Sequence, residues 1–185
     1  MNFLHVLPWA SFGGVPNYVK GLLKGLRMIG HQNVCIGLER HFDVYGLYCD
    51  VYIPVKSGLT WPFEKILPSS AKVRLYSLLK SDLDAIEKHY CIHSVILNND
   101  PRIISLENLL KSSVPVVRIQ HGTYMGYLYW YKHLPIPSVD RIKSLEHVLL
   151  YHYDVLRYIR KMARRYPSFY VVAVSERTKK ELMYY

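Results

Sequence analysis

Short, almost unbroken apolar runs separated by amphipathic stretches are the feature that most limits how this chain can fold. The runs cover residues 3–7, 34–38, 51–55, 94–97, 114–120 and 170–174. Most are β-branched and lack the polar alternation of a half-solvated strand. Strands of that kind are covered on both faces, as in a parallel sheet whose crossover helices lie on both sides. Helical periodicity fills most of the gaps. Over residues 17–29, Val19, Leu22, Leu23, Leu26 and Ile29 share one face, Lys20, Lys24 and Arg27 fall outside it, and Gly30 follows as a C-terminal stop. Over residues 71–90, Tyr76, Leu79, Leu83, Ile86 and Tyr90 recur at three- and four-residue steps, with Ser69 or Ser70 able to cap the start. A shorter helix is expected over 101–111 with Pro101 in its first turn, and a long one over 139–166, ending before Pro167. A last helix over 176–185 has Ser175 as its cap.

This alternation predicts a Rossmann-like three-layer α/β/α domain with a mostly parallel sheet, spanning residues 1–185 as one unit. The chain is of single-domain length, and 50% of its residues are hydrophobic, so a core can form without disulfides. Its three cysteines, Cys35, Cys49 and Cys91, are widely spaced with no CxxC pair. Neither a zinc site nor a disulfide framework is expected from them, which suits a reducing compartment. The N-terminus has no basic leader, and no apolar stretch approaches the roughly 20 residues of a membrane span. The expectation is a cytoplasmic protein. An excess of 24 Lys+Arg over 14 Asp+Glu gives a net charge of +10, which favours anionic partners such as nucleotides, nucleic acid or acidic headgroups.

In an open parallel sheet, ligands bind beyond the C-terminal ends of the strands. Two corners of this sequence fall there. The first is Pro8-Trp9-Ala10-Ser11-Phe12-Gly13-Gly14-Val15-Pro16-Asn17. Its glycines let the backbone approach a ligand, and the following helix offers unpaired N–H groups and a positive dipole end to a phosphate or sugar hydroxyl. Neither GxGxxG nor GxxxxGK[ST] is present, and a plain tight turn is the alternative. The second corner is Arg118-Ile119-Gln120-His121-Gly122-Thr123-Tyr124. A histidine at a strand's C-terminal edge can contact a phosphate or sugar oxygen, or serve as acid or base near neutral pH. The alternative is a histidine satisfied by backbone.

Together these corners carry a resemblance. Leu4-His5-Val6-Leu7-Pro8, then Gly13-Gly14-Val15, a helix, and Gly30-His31-Gln32-Asn33-Val34 resemble the opening of family-4 glycosyltransferases, which have the two-domain GT-B fold. His121-Gly122 is similar to that family's histidine loop after a mid-domain strand. The segment from Val171 through Ser175-Glu176-Arg177-Thr178 to Leu182 resembles the strand and helix that close its N-terminal domain. The resemblance implies a retaining, metal-independent transferase that needs no cofactor and uses a nucleotide-sugar as donor and a glycan or lipid-linked acceptor. It implies that Gly14 brings backbone N–H near the donor diphosphate with Gly13 shaping the turn, that Asn17, Gly122 and Tyr124 line the same site, and that His121 is the catalytic contact at the reacting centre. The family's donor-binding domain and its spaced glutamate pair have no counterpart before Tyr185. The expectation is therefore the acceptor-side, N-terminal half of such an enzyme, inactive without a C-terminal domain.

Other features carry two readings each. Arg157, Arg160, Lys161 and Arg164 share one face of the expected 139–166 helix, which also carries Tyr151, Tyr153, Tyr158 and Tyr166. Such a helix can lie on the anionic inner face of a membrane, or it is a solvated face over Leu145, Leu149, Leu156 and Ile159. The aromatic cluster Tyr124, Tyr127, Tyr129, Trp130 and Tyr131 can stack on sugar rings or pack within the protein, and Trp61 and Phe63 can line the same side. The pairs His89/His93 and His147/His152 make no metal site. No RRM, KH or helix-turn-helix pattern accompanies the charge, so nucleic acid is not an expected partner. The competing reading is a basic Rossmann-like module that binds a nucleotide or nucleic acid without catalysis.

Overall fold

A computed structural model describes residues 1–8, 14–55, 80–98, 112–121 and 163–184. Six strands form one sheet: β1 (Asn2–Val6), β2 (Gln32–Leu38), β3 (Val51–Val55), β4 (Ile92–Asn98), β5 (Val116–Gln120) and β6 (Phe169–Ala173). Their order is β3-β2-β1-β4-β5-β6, and every pairing is parallel. The expected Rossmann-like α/β class is therefore what the sequence builds. The order of winding reverses beside β1, so β1 and β4 flank the switch point. Val6 lies level with Ile36 on one side and Leu97 on the other.

The two faces of the sheet collect different residues. Leu4, Val6, Val34, Ile36, Leu38, Val95, Leu97, Val116 and Phe169 form one core with Leu83 of a helix spanning Lys80–His89. Leu7 and Cys35 face the other way and pack with Val19 and Leu23 of α1 (Gly14–Met28) and with Tyr45. Period-two alternation dictates the division: even-numbered residues of β1 and β2 point to the first face and odd-numbered ones to the second. Burying a leucine such as Leu23 contributes roughly 1.5–3 kcal/mol. The partly exposed Arg27–Asp50 ion pair at 3.3 Å adds under about 1 kcal/mol. Apolar packing thus decides where α1 lies. Pro54 falls in β3, where an edge strand tolerates the missing donor.

Several boundaries differ from expectation for local reasons. Helix α1 begins at Gly14 rather than at residue 17, because Pro16 is compatible with a first turn. Its other end follows Gly30, which adopts φ +82°. His31 N donates to Leu26 O and Gly30 N to Arg27 O, the paired bonds of a left-handed helix stop. β5 starts at Val116 instead of 114, since Pro115 cannot donate to the ladder; its carbonyl accepts from Val95 N instead. Residues 39–48, which carry no periodic pattern, form two 3-10 turns, Glu39–His41 and Gly46–Tyr48, around α2 (Phe42–Tyr45). The helix at Lys80–His89, α3, is the described part of the one expected over 71–90. It ends where Cys91 takes a left-handed φ of 49°. In α4 (Glu176–Tyr184), the backbone N–H of Thr178 donates to Ser175 Oγ at 3.1 Å, so Ser175 is the cap.

The cysteines correct the sequence reading. Cys35 of β2 and Cys49 after the second 3-10 turn are disulfide-bonded, with Cα atoms 6.0 Å apart. Two residues 14 apart meet because the intervening turns bring the chain back beside β2, which no local spacing rule reveals. Cys91 is free and exposed. The cysteines therefore do not argue for a reducing compartment. No helix among the described residues is long and apolar enough to cross a membrane. The expected helices over 101–111 and most of 139–166 lie outside the described residues, as do Arg157, Arg160, Lys161, Trp61, Phe63 and the aromatic run 124–131.

Candidate functional site

Parallel packing sends the C-terminal ends of β1, β4 and β5 to one edge of the sheet, and the start of α1 stands over the same edge. Of the residues expected at the site, Gly13, Gly122 and Tyr124 lie outside the described residues. Gly14 is the exposed first residue of α1. A Cβ added to it would meet none of the described residues within 4 Å. That turn carries no acidic residue, and its N–H groups and dipole give this end of the helix a positive potential. Asn17 is exposed one turn further on.

His121 directly follows β5, as the sequence suggests, and is half-buried. Its ring packs edge-on against Tyr18 of α1, with centroids 4.6 Å apart and planes at 73°. This contact joins residues 103 positions apart in sequence. Burial holds the His121 pKa below its ordinary value, so the ring is neutral at pH 7. His121 Nε2 is buried and has no hydrogen-bond partner among the described residues. A neutral imidazole with an unengaged ring nitrogen can accept a proton or contact a hydroxyl.

Sequence reasoning missed Asn98. It closes β4 and lies beside the switch point with only 1% of its surface exposed. Both amide atoms, Oδ1 and Nδ2, lack a hydrogen-bond partner among the described residues. Asn98 is in register with Ile119 of β5, and His121 follows two residues later on the same pleat face. That is the face α1 covers. The available signal was a polar residue extending an apolar run at its C-terminal edge, where Val95-Ile96-Leu97 meets Asn98-Asn99-Asp100.

Two further buried polar groups have different surroundings. Arg118 and Gln120 point to the opposite face, where Arg118 Nε donates to Gln120 Oε1 at 3.1 Å. His5, at the centre of β1, donates from Nε2 to Asn33 Oδ1 at 3.1 Å, while Asn33 Nδ2 donates to Leu23 O at 2.8 Å. This pair ties β1 to β2 and α1, and lies below the ligand edge. Arg164, the described member of the basic group, is exposed.

Neither a protein-family model nor a curated protein matches the chain. Among solved structures it is similar to the SsfS6 glycosyltransferase of Streptomyces sp. SF2575, with a TM-score of 0.48 and 13% identity over 65% of this chain. It spans 39% of that structure's length. It is also similar to a dodecameric FMN-dependent UbiX-like decarboxylase from Escherichia coli O157:H7, with a TM-score of 0.36 and 11% identity over 80% of this chain and 76% of that one.

Proposed function

We propose that the chain is the acceptor-side half of a retaining, metal-independent glycosyltransferase of the family-4, GT-B kind. It would move a sugar from a nucleotide-sugar to a glycan or lipid-linked acceptor. The observation that carries this reading is the Tyr18–His121 ring contact, which ties the helix that follows the Gly-Gly corner to the residue that opens the His-Gly corner. Each resembles a family motif on its own; their convergence on one edge is what a shared site needs.

In this reading the first turn of α1 receives the donor diphosphate through the N–H groups of Gly14 and Val15. Charge develops on the departing phosphate during transfer, and donors held in place by a helix stabilise it without reorganising. His121, kept neutral by burial, contacts the transferred sugar or the reacting centre. A second Rossmann-like domain closes over the donor from the other side, and this chain alone has negligible transferase activity. An anionic membrane surface engages the basic face that includes Arg164.

Titration of the isotope-labelled chain with UDP-glucose, GDP-mannose and ADP-glucose tests the reading by NMR. At least one should shift the Gly14 amide and the His121 ring resonances, with weak affinity in the absence of the opposing domain. Silence of both groups toward all three removes the reading. Robust sugar transfer by these 185 residues alone would instead overturn the claim that it is half an enzyme.

A further inference from the structure

We propose that Asn98 and His121 form a subsite for vicinal hydroxyl groups of a sugar or polyol. The inference rests on the transferase reading for its place in a reaction, where it would hold a sugar at the reacting centre, but its chemistry stands on the two side chains themselves. Asn98 is almost wholly buried, and neither end of its amide is engaged. A buried polar group without a partner destabilises the fold that holds it, so such a group calls for a specific occupant. His121 Nε2 is a second orphaned atom on the same pleat face, two positions beyond the residue paired with Asn98.

The donor and acceptor pattern selects the ligand class. An amide side chain presents N–H donors beside a carbonyl acceptor. Adjacent hydroxyls match that pair, because one can accept from Nδ2 while the other donates to Oδ1. A neutral imidazole nitrogen adds a contact to the same cluster or to a third hydroxyl. A diphosphate diester, as in a nucleotide-sugar, has only acceptor oxygens at neutral pH and would leave Oδ1 unpaired. The α1 N-terminus, with no acidic residue in its first turn, is the complementary place for the phosphate. The edge thus divides into a hydroxyl-reading part at β4 and β5 and an anion-reading part at α1. Tyr18 of α1 packs its ring against His121 and links the two parts.

The test uses the 185-residue chain and methyl glucopyranoside as probe, with cyclohexanol as a ring bearing a single hydroxyl. The glucoside should shift the Asn98 side-chain NH2 and His121 ring resonances in a saturable way, and cyclohexanol should bind about tenfold more weakly. Asn98→Leu separates a ligand role from a structural one. Loss of an orphaned amide should raise the melting temperature by roughly 2–4 °C while weakening the glucoside at least about tenfold. A lowered melting temperature would show that the amide is engaged within the fold, through a bound water for example, and overturns the inference. So does an unchanged glucoside affinity in Asn98→Leu, or equal binding of cyclohexanol. Failure of the parent reading shows differently: nucleotide-sugars leave Gly14 unmoved while the glucoside still shifts Asn98.

Discussion

His5 shows how much a single buried side chain can weigh in this fold. Desolvation pulls its pKa down to about 4, against an upward pull from the Asn33 hydrogen bond. The folded state therefore holds His5 neutral, whereas the unfolded chain protonates it near 6.5. Its contribution to stability is present above pH 6.5 and is lost as pH falls from there toward 4. The difference amounts to about 3 kcal/mol across that window. Denaturant titrations at pH 7 and pH 4.5 should show this loss in the native sequence and a clearly smaller one in His5→Gln. Equal losses in the two proteins would assign the acid sensitivity elsewhere. Backbone conformation supplies a second expectation at this scale. Cys91 ends α3 with φ 49°, a region that costs a non-glycine residue about 1 kcal/mol. Cys91→Gly should raise the melting temperature by a few degrees. Gly30→Ala, at φ +82° with open space around its Cβ, should lower stability by a similar amount through backbone strain alone.

At the level of elements, α1 does two jobs with different parts of its length. Val19 and Leu23 anchor it to the sheet, and its first residue, Gly14, is exposed. These roles separate experimentally. Gly14→Val should leave the melting temperature within a few degrees of the parent, since no neighbour lies within 4 Å of the new Cβ. In the complete enzyme it should reduce sugar transfer at least about a hundredfold by blocking the approach of the diphosphate. Undiminished turnover would make the turn a purely structural feature. Two helix boundaries were legible for a related reason. Gly30 and Ser175 act within a few residues of themselves, so local chemistry reveals them, whereas the start of α1 at Gly14 was missed. The 39–48 turns lack such periodicity and were not legible, because their conformation is set by packing Tyr45 against Leu7 and Cys35.

For the molecule as a whole, the net charge of +10 and the exposed Arg164 bear on where it works. Each basic residue near an anionic surface contributes about 1 kcal/mol, attenuated by salt. The chain should sediment with vesicles containing anionic lipid, far less with neutral ones, and Arg164→Glu should weaken that binding roughly fivefold. Sedimentation independent of lipid charge would remove the membrane from the proposal. The disulfide acts on a similar scale, tying β2 to the segment that leads into β3. It was invisible in spacing because only the returning path of the chain brings Cys49 to Cys35.

The class of fold was determined by sequence alone, which also singled out two corners as candidates for a site. Apolar runs, helical stripes and caps act over a few residues, and parallel strands must end at a common edge. What only the tertiary structure decided is which distant residues share that edge. Tyr18 meets His121, Asn98 lies buried and unpaired beside the switch point, and Arg118 points away from both. Those relations follow from strand order and register, which arise when β4 inserts between β1 and β5. Sequence periodicity assigns a residue to a face; it carries no information about the strand that will lie next to it.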